Sequence, residues 1–541
     1  MPNAKAHEVL DMLSTLKSER ANFEHTWQLI ADNILGYGDF EVERNPGLTR
    51  NTLIYDNTPA MSLRRLADAL DSILTNRSTR WHGLATKNKK LMELDGAREA
   101  LGQMEDIVVS EFDRPAARFT PQMHEAYICM VSFGNCCPYV ESDDGDGVFF
   151  STRPMKEMYF VENSRGQVKE VFREFELTNK QALEKFPDAP LVKIRQKASG
   201  EPFERSTFIH WVYPNLDQIE GNLDESGMAF VSQYISEDEG EIIKEEGYHE
   251  MPYMPARWIV DAGNTYGIGI GNFMLPDAKT LNVMVKTILR AGIKAVDPPL
   301  LVQNDSIVGN VKTGPNTLTV YNPTGIDQVP IREFANGGRI DIGIELIERQ
   351  RDQIRTTAMF ELLQLASKKN MTATEVQELS DTMRQHFSPI SGRLEVELLS
   401  PLVNRVVGIL ARQGKFDHIQ FPEEFYDEDG FGAEIEVEYI SPVAVAQKRG
   451  RAQGIVNTLT IAANLAQVFP EGLDNFDVDY ALREYSASNG NPAEMLRLKA
   501  LVAQIREQRA QQQAEQQQRE QAMQAAQAGG DLVKNTASLR Q

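Results

Sequence analysis

The chain has 541 residues, of which 41% are hydrophobic and 25% charged, a length that exceeds what one core serves and predicts two to four packed units. With 56 Lys and Arg against 78 Asp and Glu, its formal charge is −22, which excludes general attraction to nucleic acid because phosphate neutralisation drives that binding. A chain of this charge can still surround DNA without gripping it. No apolar run is long enough to span a bilayer. The opening stretch MPNAKAHEVLDML lacks the basic and then apolar pattern of a secretory signal, so a soluble protein assembled in the cytoplasm is expected. Cys129, Cys136 and Cys137 cannot pair fully, and with His124 nearby their spacing does not suit a metal. Buried, reduced thiols are the expectation.

Residues 8–36 read as a helix, with Leu10, Leu13, Leu16, Phe23, Trp27 and Ile30 at helical spacing. Thr58-Pro59 opens a second, carrying Leu63, Leu66, Leu70 and Leu74. Two more fit 94–112 and 120–133. From Phe149 to Val260 short β-like runs alternate with turn residues, and the acidic stretch Glu237–Glu241 reads as a solvated hairpin tip.

Segment 274–300 reads as a long helix that starts at Pro276-Asp277 and stops at Pro298-Pro299. Lys279, Lys286, Arg290 and Lys294 fall on one narrow stripe of it. Nearly everything else is apolar, including Leu281, Val283, Met284, Val285, Ile288, Leu289, Ile293 and Val296. A helix this apolar on three sides is surrounded by other helices. A β-rich insert over 300–335 follows, with turns at Gly309-Asn310 and Gly314-Pro315-Asn316. Asn336-Gly337-Gly338 then resets the chain into a helix over 341–367. Its Asp341, Glu345, Glu348 and Asp352 form an acidic stripe flanked by Arg349, Arg351 and Arg355. Two long helices with opposite stripes, joined by a small β module, predict an antiparallel pair with a projecting tip.

The second helix ends at Ser367-Lys368-Lys369-Asn370, and a capping box at Thr372–Glu375 restarts the chain. Pro389 is expected to kink this next helix, and Pro401 to kink or break it again. Strands near 433–440 return the chain to the β region. Helices follow at 447–468, 477–487 and 492–528, the last spanning about 55 Å. Its Gln- and Ala-rich tail either frays or packs weakly in a ring, and 529–541 is expected to be disordered.

The order helix, β tip, long helix, Lys-Lys loop and kinked helix resembles the stem, clip and tunnel of phage portal proteins. The motifs that carry the likeness are Arg257-Trp258, Tyr266-Gly267 with Gly269 and Gly271, Leu275-Pro276-Asp277, Leu281-Asn282 and Pro298-Pro299-Leu300. Together they resemble the signature of the head-to-tail connecting (portal) proteins of short-tailed bacteriophages. Tyr55-Asp56-Asn57-Thr58, Leu66–Leu70, Leu74-Thr75, Arg80-Trp81, His210–Pro214 and Gly247 before Pro252 agree. The likeness covers roughly residues 10–490, and Ile268 departs from it where such sequences often carry a basic residue after Tyr-Gly.

The resemblance implies an α+β portal fold. Its parts would be a wing over 1–272, stem helices over 273–299 and 339–367, and a clip over 300–338. A tunnel loop would follow at 368–372, a kinked helix returning to the wing at 373–446, and a helical crown at 447–528. It further implies a homo-oligomer, a dodecameric ring at one capsid vertex, contacting major capsid and scaffolding proteins. The terminase large subunit and then a tail adaptor protein would dock at the clip, where Leu300, Leu301, Val302, Val320 and Tyr321 can supply apolar contact. Double-stranded DNA would pass through without sequence-specific binding, and the genome would leave by the same route.

Lys368 and Lys369 are expected at the narrowest point of the channel, two adjacent lysines being costly to bury unpaired. The alternative is an outward loop that they solubilise. Glu345, Glu348 and Asp352 would give the channel a non-sticky wall, and the cationic stripe Lys279, Lys286, Arg290 and Lys294 would pair mostly between helices. An enzyme is the first rival reading. The phosphate cradle GxxxxGK[ST] of a packaging ATPase does not occur. Gly267, Gly269 and Gly271 imitate a dinucleotide loop but have the wrong spacing, so no cofactor is expected. A tail adaptor is the second rival, but adaptors are shorter and lack the charged helix pair.

Overall fold

The computed structural model describes residues 2–41, 53–77, 80–86, 91, 95–143, 146–219, 227–296, 300–302, 331–333, 340–358, 390–422, 425, 435–439, 454–464, 476–488, 501–502, 504–514 and 516. It is a mixed helix-and-sheet chain that divides into two units, residues 1–79 with 110–414 and residues 80–109 with 415–541.

In chain order, α1 (Pro2–Ile30) runs into a π-turn at Ala31–Leu35, closed by Gly36 with φ +76°. Next come α2 (Thr58–Leu74), β1 (His82–Thr86), α3 (Asp95–Asp113) and α4 (Phe119–Phe133). Strands β2 (Asn135–Cys136), β3 (Pro138–Ser142) and β4 (Val148–Thr152) precede a meander of β5 (Met158–Glu162), β6 (Val168–Thr178), β7 (Arg205–Pro214), β8 (Phe230–Ser236) and β9 (Glu241–Tyr248). Helices α5 (Asn179–Lys185) and α6 (Val192–Gly200) are inserted between β6 and β7. Then follow β10 (Ala256–Arg257), α7 (Ile270–Val296), β11 (Leu300–Val302), β12 (Ile331–Glu333) and α8 (Ile340–Thr357). The last elements are α9 (Ser400–Arg412), β13 (Ile435–Tyr439) and α10 (Val478–Ser488).

In the first unit β5 to β9 form one antiparallel sheet in sequential order. Alternation along the strands aims two sets of side chains at opposite faces. Tyr159, Phe172, Ile209 and Ile235 pack with Val9 and Leu13 of α1. Phe175, Phe208, Tyr234 and Ile243 pack with Phe186, Leu191 and Ile194 from the α5–α6 insert. The acidic hairpin tip is more than a solvated loop: Glu239 accepts the N–H groups of Lys193 and Ile194, and Lys197 pairs with Asp238. The tip thus satisfies the orphan donors at the start of α6. The cysteines are free, with Cys136 and Cys137 buried, and burial pushes the Cys129 thiol up to about 12.

Helix α2 lies where Thr58-Pro59 placed it, with its four leucines buried. Helix α7 begins at Ile270, earlier than Pro276-Asp277 suggested, and holds Pro276 internally. Asn272 supplies the reason: its side chain accepts the Gly269 N–H, so the first turn closes before the proline. The antiparallel pairing of α7 with α8 is as expected. Gln350 donates to Asp277 (2.9 Å), whereas Gly343 faces Ile288, about three turns further along α7. Leu300 to Val302 pair antiparallel with Glu333 to Ile331, which makes the β base of the insert. Pro389 and the expected turns, tip strand and loop at 303–330 and 359–389 lie outside the described residues. At Pro401 the helix neither breaks nor ends; a π-turn at Glu395–Leu399 precedes α9, with Pro401 in its first turn.

In the second unit β1 pairs antiparallel with β13, His82 opposite Tyr439 and Thr86 opposite Ile435. The strand expected near 433–440 is therefore present, but its partner is β1 and not a strand of the 149–260 region. Leu84 N–H is held by Glu105 of α3 at 2.7 Å. Residues 454–464 and 504–514 are helical, and Arg506 grips Asp479 of α10 at 2.5 and 2.7 Å. Burial, reinforced by the Arg80 charge, pulls His82 down to about 4. In the unfolded chain this histidine titrates near 6.5. Its folded value is depressed, so protons favour the unfolded state between these limits and stability falls as pH drops from about 6.5 to about 4. The expected loss is about 3 kcal/mol, read by urea titrations across that range. His82→Phe should flatten the dependence.

Candidate functional site

The motifs that are far apart in sequence meet at the base of the α7–α8 pair. Asn282 lies on the buried side of α7; its Oδ1 accepts the N–H groups of Tyr55 (2.8 Å) and Asp56 (3.2 Å). Its Nδ2 donates to the Asn33 carbonyl (3.1 Å). One amide thereby ties the π-turn after α1 and the turn before α2 to α7. Asp56 is buried, accepts the Thr58 N–H (2.8 Å), and receives Arg351 of α8 through Nε (2.9 Å) and Nη2 (2.6 Å). Burial alone would raise the Asp56 carboxyl, but hydrogen bonds from Thr58 and the Arg351 guanidinium hold it below its ordinary value. An open pocket of about 420 Å³ beside this joint is lined by Tyr55, Thr58, Met61, Arg65, Arg351 and Arg355.

The glycine segment ahead of α7 serves backbone packing. Asn135 accepts the Gly267 N–H (2.7 Å) and donates to the Gly267 carbonyl (3.2 Å). A Cβ on Gly269 would lie 2.5 Å from the Gly134 nitrogen, and one on Gly271 would strike the Ser132 carbonyl. The alternating glycines let this segment lie directly on the C-terminal end of α4. Tyr266 wedges between Phe23, Trp27 and Phe160, at centroid distances of 5.3 to 5.5 Å, and its hydroxyl accepts the Phe160 N–H.

The sequence profile of the bacteriophage head to tail connecting protein family matches residues 6–496. The chain belongs to this family. It is 26% identical over 524 residues to the portal protein of Salmonella phage epsilon15, covering 94% of this chain and 92% of that protein. It is 25% identical over 519 residues to the probable portal protein of Bordetella phage BPP-1, covering 93% and 90%. As a head-to-tail connector the chain is a structural protein, and two of the motifs that resemble the family signature, Tyr55–Thr58 and Leu281-Asn282, meet in the joint just described.

The anticipated site residues of this connector distribute unevenly. On α8, Glu345, Glu348 and Asp352 pair with Arg349 (2.6 Å), Arg351 (2.5 Å) and Arg355 (2.7 Å) of their own helix. On α7, Lys279, Lys286, Arg290 and Lys294 make no ion pair among the described residues; Lys286 lies over the Tyr55 ring at 5.4 Å. Within one chain the two stripes do not bridge to each other. Leu300, Leu301 and Val302 form β11, while Val320, Tyr321, Lys368 and Lys369 lie outside the described residues. Sequence reading did not assign Asp56, Asn282 and Arg351 to one place. Their signal was a short polar residue inside an otherwise apolar helix stripe, at Asn282, and an arginine flanking an acidic one, at Arg351.

Proposed function

We propose that the chain is one subunit of a closed ring, a dodecamer, that forms the DNA channel at one vertex of the phage head. The observation that carries this reading, beyond family membership, is the outer side of the α7–α8 pair. Val283, Leu289 and Ile293 are 64%, 53% and 67% exposed, and Ile342, Ile344 and Leu346 of α8 are exposed as well. A row of large apolar side chains on two long helices needs a neighbour, and a repeated heterologous contact closes into a ring.

In this reading 1–272 is the wing and the α7–α8 pair the stem. Residues 300–338 are the clip, where the terminase large subunit docks during packaging and the tail adaptor docks afterwards, through Leu300, Leu301, Val302, Val320 and Tyr321. Residues 368–372 are the tunnel loop, and 373–446 carry the kinked helix back to the wing. Residues 447–528 form the crown, and capsid and scaffolding proteins surround the ring. Lys368 and Lys369 would touch passing phosphates, while Glu345, Glu348 and Asp352 keep the wall non-sticky, since many free cations there would stall the DNA. No helix among the described residues is long and apolar enough to cross a membrane.

The test is Val283→Asp with Ile293→Asp. Both side chains are solvent-facing in the single chain, so the fold should survive by circular dichroism while sedimentation shows rings replaced by monomers. Rings that persist in the double variant would sink the proposed interface.

A further inference from the structure

The helix that ends in α9 contains a π-turn, Glu395–Leu399, with Pro401 two residues beyond it. A π-turn is rarely the preferred state of a helix and persists where something holds it. Pro401 explains half of this. It has no N–H to give the Glu397 carbonyl, so the α-helical register loses a hydrogen bond here that it would gain elsewhere. The wider turn is closed instead by the Ser400 N–H on the Glu395 carbonyl. The two registers are thereby brought close in energy, and a modest force selects between them.

The selecting force is visible in Arg257, which is 3% exposed. Its backbone N–H (3.0 Å) and Nη2 (2.8 Å) both reach the Glu397 carboxylate, in the middle of the π-turn. The same guanidinium pairs with Glu162 and donates to the carbonyls of Gly166 (3.0 Å) and Thr265 (3.1 Å). It is fixed on the wing side by three groups and holds the helix by one. Downstream of the turn, α9 is anchored: Leu402, Val406 and Leu410 are buried, and Arg405 (2.8 Å) and Arg412 (2.7 Å) share Glu250. Upstream, among residues 390–394, only Leu394 is buried.

We propose that Arg257 and Glu397 form a register clamp. It holds the helix in its π form, and its release converts the turn to α-helix, rotating the segment before Glu395 about the fixed α9. One residue's worth of turn is on the order of 100° of rotation and about 1.5 Å of rise. Because the clamp also grips Thr265, immediately before the glycine segment that seats α7, it couples the base of α7 to the register of this helix.

The test uses the full chain and compares Pro401→Ala alone with Glu397→Gln plus Pro401→Ala, by electron cryo-microscopy. The single variant should keep the π-turn because the clamp is intact, while the double variant should show continuous α-helix over 390–412, with residues 390–394 rotated by about 100°. A π-turn retained in the double variant, or lost in Pro401→Ala alone, would overturn the clamp. Should the double variant fail to fold, Arg257→Lys with spin labels at Gly392→Cys and Ala411→Cys gives the same reading. Two label separations are expected where the parent shows one, and a single unchanged separation rejects the proposal.

Discussion

Gly134→Ala is expected to destabilise the first unit by about 2–4 kcal/mol, enough to lower the yield of folded protein. Two separate costs add. Gly134 ends α4 with φ +84°, a left-handed conformation that costs a residue bearing a Cβ about 1 kcal/mol. The new methyl would also lie 2.5 Å from the Gly269 nitrogen and 2.6 Å from the Gly267 carbonyl carbon. These are backbone atoms, Gly267 held by Asn135 and the Gly269 N–H by Asn272, and they cannot rotate away, so the overpacking adds roughly 1–3 kcal/mol. The control is Gly102→Ala in α3, where nothing lies within 4 Å of the added carbon and helix propensity predicts a gain of about 1 kcal/mol. Urea unfolding of both variants decides the matter. If Gly134→Ala is as stable as the parent, the close backbone approach assigned to the glycine motif is wrong.

Removing the Arg351 side chain, as Arg351→Met, should cost about 2–4 kcal/mol, because it leaves the Asp56 carboxylate buried with its charge uncompensated. Asp56→Asn in the same background should restore part of that loss, since a neutral amide tolerates the site better. The pH dependence has a defined sign. The Asp56 carboxyl is held below its ordinary value in the parent, so its stabilising contribution is present above about pH 4 and fades as pH falls through the lower folded value. Without Arg351 the burial that raises the carboxyl is no longer opposed by the guanidinium, so the variant's deficit should shrink on acidification. Thermal melts of parent and variants at pH 7 and pH 4 measure this. An equal deficit at both values would show that Arg351 acts through packing and not through charge.

The helix content was legible where periodicity was strong, as in α2 and in the antiparallel pairing of α7 with α8. The strand β1, with the sequence HGLAT, was not legible: it is short, carries a glycine, and is buried along most of its length, so it lacks the alternation of a half-exposed strand. That is also why β13 was assigned to the 149–260 region and not to this partner. Pro276 was read as a helix start because proline favours that position, and the side chain of Asn272 moved the true start upstream. The charge stripes lie on the helices that periodicity assigned them, and the flanking arginines of α8 take its acids, as Glu345 with Arg349 four residues on shows. The joint itself was hidden by distance: Asp56 and Arg351 are 295 residues apart, and only the fold brings them together. What sequence did show of it were the two motifs Tyr55–Thr58 and Leu281-Asn282, visible as a family likeness with no spatial meaning.

The central claim, that this connector works as a closed ring with its helix pair at the subunit contact, is tested most directly by electron cryo-microscopy of the assembled protein viewed along its symmetry axis. The expected result is a closed ring of twelve subunits in which Val283, Leu289 and Ile293 of α7 are covered by the adjacent copy. A folded monomer, or a ring in which those three side chains face solvent, would contradict it.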